Sequence, residues 1–387
     1  MSPFFIVHVS SLPPTACGVA EYTATLSKAM QANCPQAAHF FVHLDADAKE
    51  ILQDGQRITI NPADQIAVEA AAAAVNLLER KVVLLQHEFK LFGGADGENI
   101  CRFLGALKCP IATTLHTVWP MFPPARQRVF LEVLRRSDRV IIFSQVAANI
   151  LRANYELPAD KIHVIPHGVP DVPFRQPGVD DLDGVPRRSV RFITTGLLRP
   201  TKGIEHVIAA MSEVRKRFSD FAYVICGADH PRNTLAAEYR HKLKGAVSHH
   251  RLENHVFFVD RFLGWPQLIM AIQACDVGIL AYTASEQSSS GVLALTLSCG
   301  RPVITTDFQH ARAIVDGKNG ILVPAGDATA LISAIESVAK DVDLRMRMAE
   351  VSYFSTRSWI WTEIARKHLN ILCELNGQSH RSTLNRS

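Results

Sequence analysis

Five short segments of the sequence place polar, cationic or small residues directly after an apolar run. They are residues 10–21, 84–94, 112–120, 195–205 and 284–295. Polar groups at the end of a buried run are costly unless they meet a partner, so these segments are the candidates for ligand contact. Their side chains include hydroxyls, imidazoles, amides and cations, which recognise the oxygens of phosphates and sugars.

The fourth segment carries two cations, Arg199 and Lys202, between an apolar run and a helical pattern. A guanidinium forks onto phosphate oxygens and an ammonium adds a point charge near a helix N-terminus, so the pair suits a diphosphate. The spacing of a Walker P-loop is absent, which excludes that kind of nucleotide site. A solvated charged turn is the alternative.

The fifth segment enters an apolar helix through small polar residues. The amides and hydroxyls of Ser289, Ser290 and Gly291 are suited to holding phosphate or sugar oxygens. Glu286 or Gln287 would accept hydrogen bonds from sugar hydroxyls. Simple capping of the helix by a serine is the alternative.

The first segment contains Gly18, which precedes a helical pattern. A glycine there lets backbone N–H groups approach an anion at a helix N-terminus. The segment is not a G-x-G-x-x-G fingerprint, which argues against dinucleotide binding and a nicotinamide oxidoreductase. A glycine required only for a turn is the alternative.

The second and third segments end apolar runs in His87, Glu88 and His116. We expect His87 and Glu88 to face a binding site and His116 to donate to a sugar hydroxyl or a phosphate. A surface turn with a satisfied histidine, or a histidine satisfied in the core, is the alternative. The histidines lack H-E-x-x-H or paired-cysteine spacing, so no metal site is predicted.

Short β-branched runs alternate with longer helical patterns in both halves of the chain. The predicted strands are residues 4–9, 82–85, 111–114, 140–143 and 163–165, and then 190–194, 222–226, 256–259, 277–280, 302–305 and 320–323. Strands that are apolar throughout and joined by helices indicate parallel sheets covered on both faces. The prediction is therefore α/β: two Rossmann-like, doubly wound domains that face each other across a cleft.

A proline-rich and acidic stretch separates the two halves. It predicts an N-terminal Rossmann-like domain over residues 1–170, a linker over 171–188 and a second Rossmann-like domain over 189–355. A C-terminal helix over 356–375 is expected to pack back on the N-terminal domain, followed by a flexible tail over 376–387.

The composition excludes several classes of protein. A formal charge of +4, from 41 basic and 37 acidic residues in 387, is too small to predict nucleic-acid binding. The eight cysteines form no C-x-x-C pair, which is typical of reduced thiols in a cytosolic protein. No window approaches the roughly 18 apolar residues of a membrane span. We expect a cytoplasmic protein with, at most, peripheral contact at the inner face of a membrane.

Read in order, several motifs resemble those of the retaining glycosyltransferases of family 4, which have the GT-B fold, over roughly residues 3 to 375. The motifs are Leu85-Gln86-His87-Glu88-Phe89, Thr113-Thr114-Leu115-His116, Val164-Ile165-Pro166-His167-Gly168-Val169, residues 196–203 and Ser298-Cys299-Gly300-Arg301-Pro302-Val303. The chain is similar to a bacterial subset, often associated with polysaccharide assembly, that has S-G in place of the usual glutamate motif.

The resemblance implies roles for individual residues. Gly18 would lie under the donor diphosphate, His116 near the transferred sugar and Lys202 on the phosphates. The N-terminal domain would be the acceptor side, with His87 and Glu88 facing the acceptor, and the domain over 189–355 would bind the nucleotide sugar. Leu197 stands where the family has an arginine, and Arg199 is the proposed replacement. The family's two glutamates, eight residues apart, correspond to Gln287 and Leu295, with Glu286 adjacent to the first. Leu295 cannot hydrogen-bond a ribose.

The implied activity is the transfer of a hexose, of the mannose or glucose type, from GDP-mannose or a UDP-hexose. The acceptor would be a glycan or a lipid-linked oligosaccharide, and neither a bound cofactor nor a metal would be required. The sequence offers no obvious protein nucleophile, so the acceptor would attack from the front face. Rival functions are a non-catalytic sugar-nucleotide or glycan-binding protein, and a GT-B epimerase or phosphorylase.

Overall fold

The computed structural model describes residues 4–15, 17–178, 180–227, 236–261 and 263–384, with side chains as far as residue 377. The chain forms two compact units. The first unit is Met1–Gly168 together with Trp361–Ser387, and the second is Val169–Ile360. The chain therefore leaves the first unit after Gly168 and returns to it at Trp361.

The first unit is built on an eight-stranded sheet with strand order β3-β4-β2-β1-β5-β6-β7-β8, in which only the β3–β4 pair is antiparallel. The strands are β1 Phe5–Ser10, β2 Ala38–Leu44, β3 Leu52–Gln53, β4 Arg57–Ile60, β5 Lys81–His87, β6 Ile111–Leu115, β7 Arg139–Ile142 and β8 Ile162–Val164. Its helices are α1 Gly18–Asn33, α2 Gln65–Leu77, α3 Asn99–Ala106, α4 Pro124–Arg136, α5 Gln145–Tyr155 and, from the end of the chain, α13 Trp361–Leu384. Parallel strands and covering helices are the predicted arrangement.

Alternate residues of β5 enter two different cores, because successive side chains of a strand point to opposite faces. Val83 and Leu85 pack with apolar residues of α2, α3 and α4. Val82 and Leu84 pack with α1 and α13. The helix α13 thus belongs to the first unit, and it continues to Leu384, through residues where we predicted a flexible tail.

The second unit has a six-stranded, wholly parallel sheet with order β11-β10-β9-β12-β13-β14. The strands are β9 Val190–Thr195, β10 Phe221–Cys226, β11 Val256–Val259, β12 Val277–Leu280, β13 Val303–Thr306 and β14 Gly320–Val323. Its helices are α6 Ile204–Arg215, α7 Ala236–His249, α8 Trp265–Gln273, α9 Gly291–Ser298, α10 Gln309–Ile314, α11 Ala328–Lys340 and α12 Val342–Ser355. Apolar residues of both sheet faces are buried against these helices.

The predicted linker, residues 171–188, belongs to the second unit. The buried guanidinium of Arg301 binds it: Nη1 donates to the carbonyl of Arg175 at 2.8 Å, and Nε donates to that of Cys275 at 2.6 Å. A side chain that bonds the segment and the end of α8 together fixes the segment to the body of the unit. Residue 179 lies outside the described residues.

The length and composition of the described helices decide whether one of them could span a membrane. The longest, α13, has 24 residues and a polar composition. Within the described part of the chain, no helix carries an apolar stretch long enough to span a bilayer.

Candidate functional site

Lys202 lies beside the carboxyl end of β12 because of a tight backbone crossing. It ends a short 3-10 turn, Pro200–Lys202, and is followed by Gly203 in the left-handed region at φ +60°. A Cβ atom at Gly203 would overlap the carbonyl oxygen of Ala281, so only glycine allows the turn to approach β12 so closely.

The ammonium group of Lys202 is buried without an acidic partner. The residue is 6% exposed, and its Nζ donates to the hydroxyl of Tyr282 at 2.6 Å while lying 4.2 Å from the centroid of that ring. No ion pair joins Lys202 to a carboxylate of the described residues. A buried cation of this kind is costly unless an anion compensates it.

Ser290 caps the helix α9 at the same place. Its Oγ accepts from the amide of Leu293 at 3.2 Å and lies 3.4 Å from the Tyr282 hydroxyl. Its own amide donates to Nδ1 of His310 at 2.9 Å. The prediction that the Ser290 amide binds the donor is therefore corrected, because the amide already has an acceptor inside the protein. The hydroxyl is the group that remains suited to a ligand.

The loop before α9 is held by the residues that begin α10. The amide of Gln309 donates to the carbonyl of Ser285 at 2.9 Å, and the amide of His310 donates to that of Gln287 at 3.2 Å. The Gln287 side chain bonds the carbonyl of Ser289 at 3.0 Å. These bonds fix the loop, and the half-buried Gly291 then opens the helix.

Glu286, next to the position of the family's first glutamate, and Leu295, at the position of the second, differ in their surroundings. Glu286 is exposed, and the hydroxyl of Ser285, which donates to it at 2.6 Å, lowers the pKa of its carboxyl group. Leu295 is 1% exposed and packs in the core with Ile193 and Ala271. Leu295 therefore meets no ligand.

Arg199 meets Lys202 only through the main chain, where its carbonyl accepts from the Lys202 amide at 3.0 Å. The residue is exposed, and its guanidinium makes no hydrogen bond or ion pair with the described residues. Its neighbour Leu198 is buried in the main core of the second unit and anchors the loop. Of the two predicted cations, only Lys202 is built into the fold.

In the first unit, His116 pairs with Gln86 at the carboxyl ends of β6 and β5. The His116 Nε2 lies 3.0 Å from Oε1 of Gln86, and both residues are buried. The Tyr22 ring contacts the imidazole edge-on at 5.2 Å. Burial, with smaller contributions from His167 and His87, lowers the pKa of His116 to about 3, so the ring is neutral at physiological pH.

His87 lies on the opposite face of the sheet from Gln86. It is fully buried, its ring contacts those of Phe89, Phe92 and Phe130, and neither ring nitrogen has a hydrogen-bond partner among the residues that the structure describes. Burial lowers its pKa to about 3. The structure corrects the prediction that His87 faces an acceptor: side chains alternate along β5, and this one enters the aromatic core.

Glu88 is half-buried beside the end of β6, where the hydroxyl of Thr117 donates to its Oε2 at 2.6 Å. Thr117 follows His116 directly. Glu88 is therefore bonded to the residue next to His116, at the edge of the sheet where β5 and β6 end.

Gly18 is exposed as the first residue of α1, and a Cβ atom built there would meet nothing within 4 Å. Gly18 is not among the residues of positive φ. The N-cap residue, Cys17, makes no side-chain hydrogen bond to this helix N-terminus. The arrangement leaves amides and open space where an anion could approach.

The sequence analysis missed Gln86, Tyr282 and His310 as site residues. Gln86 belongs to the polar triplet Gln86-His87-Glu88 that ends β5. Only knowledge of which face of β5 is directed at the aromatic core could have distinguished it from His87. Tyr282 lies between the predicted strand 277–280 and the polar segment 284–295, and it was assigned to neither. No motif advertises His310, which acts on a loop twenty residues away.

Two family models match the chain, and together they cover most of it. One, described as "Glycosyltransferase Family 4", matches residues 16–171, and the other, "Glycosyl transferases group 1", matches residues 189–341. The chain belongs to the family 4 glycosyltransferases. The resemblance read from the motifs is thereby confirmed.

Curated relatives of this glycosyltransferase are distant. An alpha-D-kanosaminyltransferase of Streptomyces kanamyceticus is 26% identical over 56% of this chain and 55% of its own length. A phosphatidyl-myo-inositol mannosyltransferase of Mycobacterium leprae is 26% identical over 68% of this chain and 66% of its own. The chain thus spans less than two thirds of the length of each of these relatives.

Solved structures match this glycosyltransferase over nearly the whole chain. A sucrose-phosphate synthase of Thermosynechococcus elongatus has a TM-score of 0.72 at 18% identity, covering 99% of this chain and 100% of its own. HepE of Anabaena, solved in complex with UDP, has a TM-score of 0.71 at 17% identity, covering 96% and 100%. This likeness confirms the predicted GT-B fold.

Proposed function

We propose that this glycosyltransferase moves a hexose from a nucleoside diphosphate sugar to a glycan or lipid-linked acceptor with retention of the anomeric configuration. The observation that carries the proposal is the buried ammonium of Lys202, which has no carboxylate partner among the described residues and lies beside the N-terminus of α9. That charge suits a diphosphate. UDP and UDP-glucose complexes of HepE support the same class of donor.

The reaction breaks the bond between the anomeric carbon and an oxygen of the β-phosphate, and that oxygen takes the electron pair. Lys202, the Ser290 hydroxyl and the first amides of α9 would stabilise the charge on the departing diphosphate. The acceptor hydroxyl attacks from the face that the diphosphate leaves, and its proton passes to the leaving oxygen. Under this proposal no metal is required, and chelator should leave turnover unchanged.

His116 would shape the region around the transferred sugar. Its one ring hydrogen as a neutral imidazole is directed at Gln86, and its low pKa excludes an imidazolium acid at neutral pH. Glu88 would lie on the acceptor side. The name of one relative, a phosphatidyl-myo-inositol mannosyltransferase, describes transfer to a lipid, which supports a lipid-linked acceptor. We further propose a cytoplasmic location, with peripheral membrane contact.

A non-catalytic sugar-nucleotide-binding protein is the second candidate. It is favoured by Leu295, because a buried leucine stands where the family would use a carboxylate. Such a protein would bind donor and release no nucleotide.

Calorimetric titration with GDP-mannose, UDP-glucose, UDP-galactose and UDP-N-acetylglucosamine, without metal and then with a chelator, tests the donor. We expect micromolar binding of one of them, and its loss in Lys202→Met. The matched control is Lys161→Met, which removes a half-buried lysine of the first unit that bonds only the carbonyl of Ser137. Failure of every donor to bind a well-folded protein would overturn the proposal.

A further inference from the structure

Tyr282 joins Lys202 to the cap of α9 through a chain of buried hydrogen bonds. Its hydroxyl accepts from Nζ of Lys202 at 2.6 Å and lies 3.4 Å from Oγ of Ser290. All three residues are at most 6% exposed. The ring stacks on Phe308, with centroids 4.9 Å apart. Packing would be served equally by a phenylalanine, so the hydroxyl has another role.

A count of hydrogens shows what the chain offers to a ligand. Ser290 Oγ already accepts from the Leu293 amide, and Tyr282 Oη already accepts from Lys202. The two hydroxyl groups carry one hydrogen each. One of these hydrogens lies between the two oxygens, and the second has no acceptor among the residues that the structure describes. The ammonium also keeps N–H groups beyond the one given to Tyr282. The cluster has more donors than acceptors, which is the requirement of an anion site.

The backbone of Gly196 approaches the cluster closely. Gly196 has φ +110°, and a Cβ atom there would lie 3.4 Å from Nζ of Lys202. Because glycine has no side chain, none stands between this backbone and the ammonium. On the other side, the bond from the Ser290 amide to His310 fixes the cap residue.

We propose that Tyr282 is a positioning residue of the donor site, and that its hydroxyl holds the Lys202 ammonium beside Ser290 to form the subsite for the diphosphate. The inference rests on the proposed function, since the diphosphate is that of the donor sugar. The proposed role distinguishes Tyr282 from Tyr223, a buried tyrosine of the same unit whose hydroxyl donates to the hydroxyl of Thr194 at 2.8 Å, within the core.

The test compares Tyr282→Phe with the control Tyr223→Phe, each of which removes one buried hydroxyl and keeps the ring. Binding of UDP, GDP, inorganic pyrophosphate and uridine is measured by calorimetry. We expect Tyr282→Phe to weaken binding of the three diphosphates on the order of tenfold, as for loss of a hydrogen bond to a charged group. Uridine binding should not change, and the control should match the wild-type protein.

A double-mutant cycle gives a readout that a merely structural role would not produce. If Tyr282 acts through Lys202, the Tyr282→Phe change should have no further effect on diphosphate binding in the Lys202→Met background. Additive losses would overturn the inference.

The outcomes separate this inference from the proposed function. Equal binding of a nucleoside diphosphate by the wild-type protein and Tyr282→Phe overturns the inference and leaves the proposed function intact. Binding of pyrophosphate that depends on Tyr282, without binding of any nucleoside diphosphate, supports the inference and overturns the proposed donor. Binding of neither by the wild-type protein overturns both.

Discussion

Gln86 and His116, thirty residues apart in sequence, meet through a 3.0 Å hydrogen bond at the carboxyl ends of two adjacent strands. An amide oxygen only accepts, so the hydrogen of the neutral imidazole lies on Nε2. Both side chains lie on the face of the sheet that packs against α1 and α13, where Tyr22 also contacts the imidazole. Gln86 thus fixes the tautomer and the orientation of the histidine.

Replacing Gln86 by methionine keeps the side-chain length and removes this acceptor. We expect the turnover number to fall about tenfold, since the lost hydrogen bond leaves the buried Nε2–H unpaired. The donor KM should change little. The control is Thr114→Val, which removes a buried hydroxyl from the same face that has no hydrogen-bond partner. Equal turnover in both variants would contradict the positioning role of Gln86.

Replacing His87 by phenylalanine tests its assignment to the aromatic core. The imidazole pKa is about 3 in the folded protein and near 6.5 when unfolded, so the unfolded chain binds the proton first and stability is lost as the pH falls below 6.5. The variant lacks this titrating group, so it should not lose this part of its stability. The free energy of unfolding of the variant minus that of the wild type should therefore be about 2 kcal/mol larger at pH 5 than at pH 7.5. Urea unfolding at the two pH values measures the difference.

Activity provides the second readout for His87→Phe. A core residue should leave turnover and KM for both substrates nearly unchanged. A large rise in the acceptor KM alone would restore the acceptor-side role predicted from the sequence.

Gly18→Ala separates binding from folding. The position is helical and open, so alanine should preserve or slightly raise stability, by up to about 1 kcal/mol. If the donor diphosphate lies over this helix N-terminus, the added methyl group should weaken donor binding. Gly245→Ala, at another open helical position, is the control. Unchanged donor binding in Gly18→Ala would remove Gly18 from the donor site.

Arg199→Ala distinguishes the two predicted cations. Lys202 is buried and bonded, whereas Arg199 is exposed and its guanidinium has no partner among the described residues. We expect the donor affinity to fall less than about threefold in Arg199→Ala and about a hundredfold in Lys202→Met. Steady-state kinetics over a range of donor concentrations measures both. Comparable losses would mean that the loop of Arg199 reorganises around the donor.

Arg301→Met should destabilise the second unit. The guanidinium is buried and donates to main-chain carbonyls of the 171–178 segment and of α8's end, and methionine would leave these acceptors unpaired. The expected cost is about 3 kcal/mol in the free energy of unfolding. Arg217→Met, which removes an exposed ion pair to Glu336, should shift the denaturant midpoint too little to resolve. Equal midpoints would show that the segment is held by other contacts.

The rhythm of apolar runs predicted all six strands of the second sheet and five of the eight strands of the first, because buried parallel strands are apolar throughout. Strands β11, β12 and β14 have the predicted bounds. Strands β2, β3 and β4 were not predicted, and in β2 the apolar pattern is interrupted by His39 and His43. The His39 ring stacks on that of His8, with centroids 5.0 Å apart. Such pairs depend on a neighbouring strand that the local sequence does not reveal.

The sequence predicted the candidate site less completely than the fold. Lys202 and Ser290 were identified because a cation and a helix cap have local signals. The roles of Tyr282 and His310 depend on contacts across the sheet, 80 and 20 residues away. His87 was predicted to face the site, but the adjacent residue Gln86 does so, because the two side chains lie on opposite faces of β5.

The central claim is that this glycosyltransferase breaks the bond between a sugar and a nucleoside diphosphate. The most direct measurement is release of GDP or UDP from the four donors, with and without glycolipid extract, by the wild-type protein and Lys202→Met. We predict release from one donor, stimulated by acceptor, unaffected by chelator and lost in the variant. Tight donor binding without release under any of these conditions would contradict the claim and identify a binding protein.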